Sequence, residues 1–455
     1  MKIHHLILLS TALFICLFYE ETPGLNVALF GLFLSVFTFS RTSNSNRTSV
    51  FKFLFLTSIL SCVAFAWFRD FPSLLAVFSS LIILQLKSRT KNVKPLLALP
   101  ILFTTLFTFF CRFFDFSSWL PKQRTKGSLQ KIIAVLFIPF TFLMIFFAIY
   151  TYGSDHFANF FSLYELDFNF FAFVGIALLG IFISFNYWFY KVEFLIYKKN
   201  DLLRDDFNKH EISVHPTFDF LSLDFERLSG IITFLTLNAM LVLFIITFNY
   251  EQFFEVRNLP SQLSDETHER VNSVIGSIVM AIVVILFYFK KGFNFDEKAG
   301  LLKILAKVWL LLNAILVISA AIKNTEYIQF LGFTYKRLGV YAFLILCVLG
   351  LFTAFVKIQK KKTNMYLFNQ MTWYLYGTII ICSFINWGGF ITSQNINRDN
   401  FDVVYHLNTV RYNEKSILKY AEQKGDLKLK SETEKKIKAN KANRFLSKVL
   451  YYETF

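Results

Sequence analysis

Four ionisable residues stand where a side chain could do chemistry. Lys336 and Arg337 are adjacent cations at the start of an apolar run. Two positive charges at a membrane edge suit a phosphate-bearing ligand or an anionic headgroup. The plainer reading is a cationic anchor beside Tyr335 at a helix start. Arg112 and Asp115 lie three apart near the end of another apolar run, a spacing that puts both on one helix face within reach of each other. Ionisable groups at membrane depth are costly and tend to be functional, although an arginine near a span end can also snorkel to the interface. His210 and His215 are five apart, wrong for a shared helical face, and make a poor metal pair. There is no HExxH, GxSxG or Walker-type loop and no paired carboxylate inside an apolar run. An enzyme reading therefore has no residue to rest on. The sequence offers no catalytic residue, no cofactor and no metal site, and leaves Lys336, Arg337, Arg112 and Asp115 as candidate functional residues.

The elements that carry these residues are membrane spans. Of 455 residues, 55% are hydrophobic and 17% charged, and the mean hydropathy is +0.49. A soluble chain carries about 25% charged residues. The apolar residues fall in twelve long blocks, near 3–19, 25–40, 51–68, 72–87, 95–114, 131–152, 167–190, 228–249, 271–289, 301–322, 338–357 and 366–391. Blocks of this length and composition cross a bilayer, and without barrel-like alternation they do so as helices. The predicted fold is an all-α polytopic transmembrane bundle of eleven or twelve hydrophobic helices with a small polar helical tail. The amino terminus has no Ala-x-Ala cleavage pattern and reads as an uncleaved first span.

Charge sets the expected orientation. Residues 191–227, 290–303 and 357–362 carry Lys and Arg and read as cytoplasmic, whereas 250–270 is acidic and reads as external. In the first half the connections 41–52, 87–94 and 122–131 are all basic. Strict alternation cannot place all three inside, so 95–114, broken by Pro95 and Pro100, reads as re-entrant or interfacial rather than as a full crossing. That gives eleven crossings, a cytoplasmic amino terminus and an external tail; twelve crossings is the alternative. The net charge of +16 follows the connections and the tail rather than an aromatic-lined groove, which argues against nucleic acid. The five cysteines lie in apolar runs with no CxxC pair.

The chain divides into spans over 1–190, a polar loop over 191–227, spans over 228–391 and a tail over 392–455. The tail has 13 Lys and Arg against 8 Asp and Glu. Asn413 reads as the start of a helix that Gly425 ends, and Ser431 with Glu434 as a capping box opening a second. Asn26, Asn186, Asn238, Asn313 and Asn386 are single amides suited to interhelical hydrogen bonds. Pro139 predicts a kink in the sixth span.

Several stretches resemble the bacterial polytopic membrane family called domain of unknown function 4173, a relative of the 4153 group. They are 23–26, 154–157, 226–230, 331–341 (Leu-Gly-Phe-Thr-Tyr-Lys-Arg-Leu-Gly-Val-Tyr), 385–387, 395–398 and 405–407. The resemblance implies a multi-pass protein of a bacterial cytoplasmic membrane and no particular activity. The sequence as a whole points to a non-enzymatic scaffold, sensor or assembly component that contacts the lipid bilayer and, through 191–227 and the tail, other membrane proteins. A secondary transporter or small-solute permease is the alternative.

Overall fold

A bilayer offers no hydrogen-bond partner to a peptide group, so an apolar run must satisfy its backbone internally. In a computed structural model of the chain, each of the twelve apolar blocks carries a helix. The structure describes residues 2–120, 135, 138–154, 156–157, 169–190, 199–212, 214, 216, 220, 222–254, 260–399 and 401–455. Among the described residues, seven helices are long and apolar enough to span a membrane. These are α3 (Ser49–Phe68), α4 (Phe71–Arg89), α8 (Phe170–Trp188), α9 (Leu223–Phe254), α10 (Pro260–Tyr288), α11 (Gly300–Leu331) and α12 (Tyr335–Gln359). Shorter apolar helices are α1 (Ile3–Phe18), α2 (Leu25–Arg41), α5 (Ala98–Phe107), continued by α6 (Phe109–Phe114), and α7 (Ile138–Gly153). The last span is broken into α13 (Asn364–Ser383) and α14 (Trp387–Asn395), which meet at 65°. The acidic stretch 250–270 is largely helical extension of α9 and α10 rather than loop. The kink expected at Pro139 turns on the residues just before Ile138, and 136–137 lie outside the described residues.

The helices collect into two cores. One buries residues of α9 to α13 around Phe234, Ile278, Ala306 and Leu316. The other packs α1 to α4, α6 and α8 around Leu6, Phe14, Cys62 and Phe185. Between them, α3 and α4 meet α13 through Phe51, Leu84 and Tyr376. At that seam the Tyr376 hydroxyl lies 2.6 Å from Thr57 Oγ1 and 2.9 Å from Ser80 Oγ, which is 3.2 Å from Ser61 Oγ. These hydroxyls sit near the middle of three spans, where hydrogen bonds between helices act as glue.

A second tie lies at one end of the bundle. Asp205 accepts from Lys94 at 3.0 Å and from Asn369 at 2.6 Å, and its carbonyl accepts from the Thr363 amide at 3.1 Å. Lys362 pairs with Asp206. Residues 203–206 thus strap the α4–α5 connection to the α12–α13 connection. This end, rich in Lys and Arg, is called the basic end below.

The segment 95–114 folds back. It leaves the basic end at Lys94, and by Arg112 it has returned to the α8 terminus at Phe189, which lies at that same end. With the amino terminus at the basic end and residues 401–455 at the other, the described path fits an odd number of crossings.

The tail forms α15 (Val403–Asn408), α16 (Glu414–Lys424) and α17 (Leu427–Lys441). Gly425 ends α16 in the left-handed region, φ +68°, as its position predicts. The expected capping box at Ser431 does not form. Asp426 follows the turn directly and accepts from the Leu429 amide at 3.0 Å, so α17 opens earlier and Ser431 lies within it.

Candidate functional site at the tail end

The bundle's cations show what its helix ends require. Each helix leaves its last carbonyl oxygens without intrahelical donors, and at a span end water reaches them poorly. Arg112 is only 8% exposed. It donates to Phe189 O, Thr105 O, Asn186 Oδ1 at 2.5 Å and Thr108 Oγ1 at 3.0 Å, so it pins the fold-back onto the end of α8. Arg89 donates to Tyr190 O at 2.8 Å and to Trp188 O, with its guanidinium 4.2 Å from the Tyr190 ring centroid. Arg337 donates to Leu331 O at 2.9 Å and to Gly332 O at the end of α11, and stacks 4.1 Å from the Tyr327 ring. Lys357, fully buried, reaches Phe289 O just past α10. These groups satisfy orphan carbonyls and meet the negative end of a helix dipole.

The sequence-derived candidates separate on this basis. Arg112 and Asp115 do not pair: α6 ends at Phe114, so Asp115 leaves the helical face and accepts from Ser117 Oγ at 2.7 Å. Arg337 turns back to the preceding helix, and Lys336 is exposed without an ion pair among the described residues. Of the two neighbouring cations, Arg337 is engaged within the chain by these carbonyls. The bundle is also less free of buried charge than its composition suggests, because Lys357 and Lys323 are fully buried, the latter 2.8 Å from Glu326 Oε2. Sequence reading missed both; a lysine within a turn of a span end is the signal that could have found them. His210 is exposed, and His215 lies outside the described residues. Among the described residues, no group of three or more His, Cys, Asp or Glu side chains is placed to hold a metal.

At the end opposite the strap, the tail is docked rather than appended. His406 is buried between α14 and the chain leading to α16, with Nδ1 2.8 Å from Thr392 Oγ1 and Nε2 3.2 Å from Asn395 Nδ2. An amide nitrogen only donates, so Nε2 accepts and the Nδ1 proton points at Thr392. Asn413 donates to Thr392 Oγ1 at 2.9 Å and to His406 O at 2.8 Å. Asn395 also clamps Phe333, accepting from its amide at 2.7 Å and donating to its carbonyl at 2.9 Å. A side chain at Gly332, φ +82°, would meet Asn395 Oδ1 at 2.8 Å, so this turn needs glycine for both its backbone and its space. Burial lowers the His406 pKa below its ordinary value, with partial opposition from Asp402.

A second contact clamps the broken span. Asn386 caps α14 by accepting from the Gly389 amide at 2.8 Å and donates to Tyr412 O at 2.9 Å. At Gly388 an added Cβ would lie 1.7 Å from Arg411 O, so the tail backbone passes through space that only glycine leaves. Further along, the Thr22 amide donates to Ser447 Oγ at 2.9 Å and the Leu25 amide to Lys448 O at 3.1 Å. Asn26 closes the α1–α2 turn by accepting from the Gly24 amide at 2.7 Å and donating to Leu17 O and Thr22 O, each at 3.1 Å. Phe68, Tyr412, Tyr451 and Tyr452 form an aromatic cluster beneath. Glu414, buried among them, accepts from Tyr452 at 3.2 Å and pairs with Lys436 at 3.2 Å, and burial and the Glu414 charge push the Tyr452 phenol up.

Between tail and spans lies a cleft of about 420 Å³, lined by Phe68, Asp70, Tyr335, Trp387, Arg411 and Tyr412 among others. Burial raises the Asp70 pKa against the opposing hydrogen bonds to Ser73. The Tyr335 hydroxyl accepts from the Arg411 amide at 3.3 Å.

This assembly defines a polytopic integral membrane protein whose spans are closed at one end by its own polar tail. The chain belongs to the family described as "Domain of unknown function (DUF4153)", whose model matches residues 6–418. No curated protein and no solved structure matches the chain. The family match runs through Asn395, His406 and Asn413 and ends within α16, so the Ser447 clamp lies beyond it. Five of the stretches that resembled a known family, at 23–26, 331–341, 385–387, 395–398 and 405–407, gather at this one end.

Proposed function

We propose that the chain is a non-enzymatic component of a bacterial cytoplasmic membrane, a scaffold or assembly factor whose working surface is the tail-capped end. The supporting observation is how its cations are engaged. Arg112, Arg337 and Lys357 would face substrate in a transporter or lipid-modifying enzyme; here each holds carbonyl oxygens at a helix end. A permease would place a span break near mid-membrane around its site. The break at 384–386 instead sits beside the tail, where Asn386 joins α14 to Tyr412. By the positive-inside trend the basic end, with Lys360, Lys361 and Lys362, faces the cytoplasm and the tail lies outside after eleven crossings. Kinship with the 4173 group rests on the quoted stretches alone. The partner-facing surface is the outer side of α17, where Lys428, Glu432, Lys435 and Lys438 are exposed.

The test is purification of the intact chain from its native membrane in mild detergent. A stoichiometric partner is expected, and it should be released when Lys428, Lys435 and Lys438 are replaced by Glu. Recovery of the chain alone would overturn the reading. Reporter fusions after residues 210, 330 and 425 test orientation: a cytoplasmic signal at both 210 and 425 contradicts the external tail.

A further inference from the structure

At the basic end, α2 and α4 finish side by side, and each closes on an arginine, Arg41 and Arg89. Both arginines line one cavity of about 140 Å³, with Thr38, Gln85, Ser88 and Trp188 among its other walls. No carboxylate is among the lining residues. The two cations are close enough to repel each other.

A helix-end role explains Arg89 but not Arg41. The last carbonyls of α2 already have donors: Thr38 O accepts from Thr42 Oγ1 at 2.6 Å, and Arg47 takes Phe39 O and Thr42 O, each at 3.1 Å. The last carbonyls of α4 have Asn46, which donates to Ser88 O and Arg89 O, each at 3.0 Å. Arg89 in turn serves α8 through Trp188 O and Tyr190 O. Arg41, an exposed residue, is left beside a like charge with no hydrogen bond among the described residues. Paired cations around a cavity are stabilised by an anion that accepts from both, and the planar guanidinium fits the oxygens of a phosphate group.

We propose that Arg41 and Arg89 bind a phosphate-bearing anion at the basic end of the bundle. A membrane supplies this chemistry as the headgroup of an anionic phospholipid, and the aqueous phase supplies it as free phosphate. A zwitterionic headgroup fits poorly, because its ammonium would add a third cation to the pair. The site is independent of the proposed partner surface, which lies at the other end.

Native mass spectrometry of the full chain, released from detergent after exchange into phosphatidylglycerol or phosphatidylethanolamine, reads the site. Phosphatidylglycerol should be retained at least about fivefold more than phosphatidylethanolamine. Arg41→Gln should abolish that preference and Arg41→Lys keep much of it, while Lys336→Ala, at the opposite end, leaves it unchanged. Arg41→Gln is chosen because Arg41 holds no carbonyl, and a wild-type melting temperature confirms that it folds. In a second arm, inorganic phosphate is titrated into lipid-stripped protein and the melting temperature followed. A rise lost in Arg41→Gln, without lipid preference, supports the site with free phosphate as occupant. If Arg41→Gln folds and matches the wild type in both arms, the proposal is overturned.

Discussion

Asn395 joins three parts of the molecule through one side chain: the α11–α12 turn, the broken last span and the tail. Its amide exchanges two hydrogen bonds with Phe333 and donates to His406. Asn395→Ala removes all three and leaves the Phe333 amide and carbonyl without that partner. Only the bond to His406 reaches the tail, and its loss leaves a buried ring nitrogen unpaired at a cost of about 1–3 kcal/mol. Since 1.4 kcal/mol is a factor of ten, the undocked population should rise at least about fivefold. Hydrogen exchange in nanodiscs reads this directly, because local opening sets the exchange rate of protected amides. Amides of α16 in the variant should exchange at least about fivefold faster than in wild type, while those of α3 and α4 keep their rates. Asn249→Ala is the control, because Asn249 donates only to Ile245 O within its own helix and should leave α16 unchanged. If α16 exchanges within about threefold of wild type in Asn395→Ala, the tail is not held through this side chain.

Three further outcomes follow from the same geometry. Arg112→Met should destabilise the bundle by about 2–4 kcal/mol, since the carbonyls of Phe189 and Thr105 lose a charged donor in a buried place; thermal unfolding in detergent measures it, and an unchanged melting temperature would contradict the pinning role. The His406 pKa is lowered by burial, so the undocked tail binds more protons than the docked one as pH falls through about 6.5. Docking is then fully present above that value and weakens below it, which energy transfer between labels at 330 and 425 should report, and His406→Gln should flatten the response. Asp205→Ala cuts the strap, but its pair with Lys94 is about a third exposed on both sides, so the expected cost is about 1 kcal/mol. The readout is faster proteolysis near residues 203–206, and equal rates would refute the strap.

How much of this was legible in the residues differs by element. Twelve apolar blocks gave twelve helical positions, because the bilayer's demand for internal hydrogen bonding leaves a long apolar run one solution. The fold-back at 95–114 was visible as a conflict between alternation and basic connections on both sides. Gly425 declared a helix end through the backbone freedom that only glycine has there. What could not be read was which partner each polar side chain would find. Arg337 looked like half of a cationic pair with Lys336, yet it points to the carbonyls of Leu331 and Gly332, and a helix-end acceptor has no identity in a sequence. Arg112 and Asp115 had the right spacing for a helical face, but the helix stops between them. The docking of His406 onto Thr392 and Asn395 depends on the 65° bend at 384–386, which composition does not announce.

The tail leaves the ribosome after every span, yet it covers the Gly24 turn, which is made before most of them. Until residues 445–448 emerge, the amides of Thr22 and Leu25 lack the acceptors that later engage them. The Asn395 and Tyr412 contacts likewise form only after every span is in place. Closure of this end therefore follows the insertion of all the spans. A chain halted before Glu414 would present open turns and bare aromatic rings at one membrane face, the kind of surface that quality-control proteases and chaperones recognise.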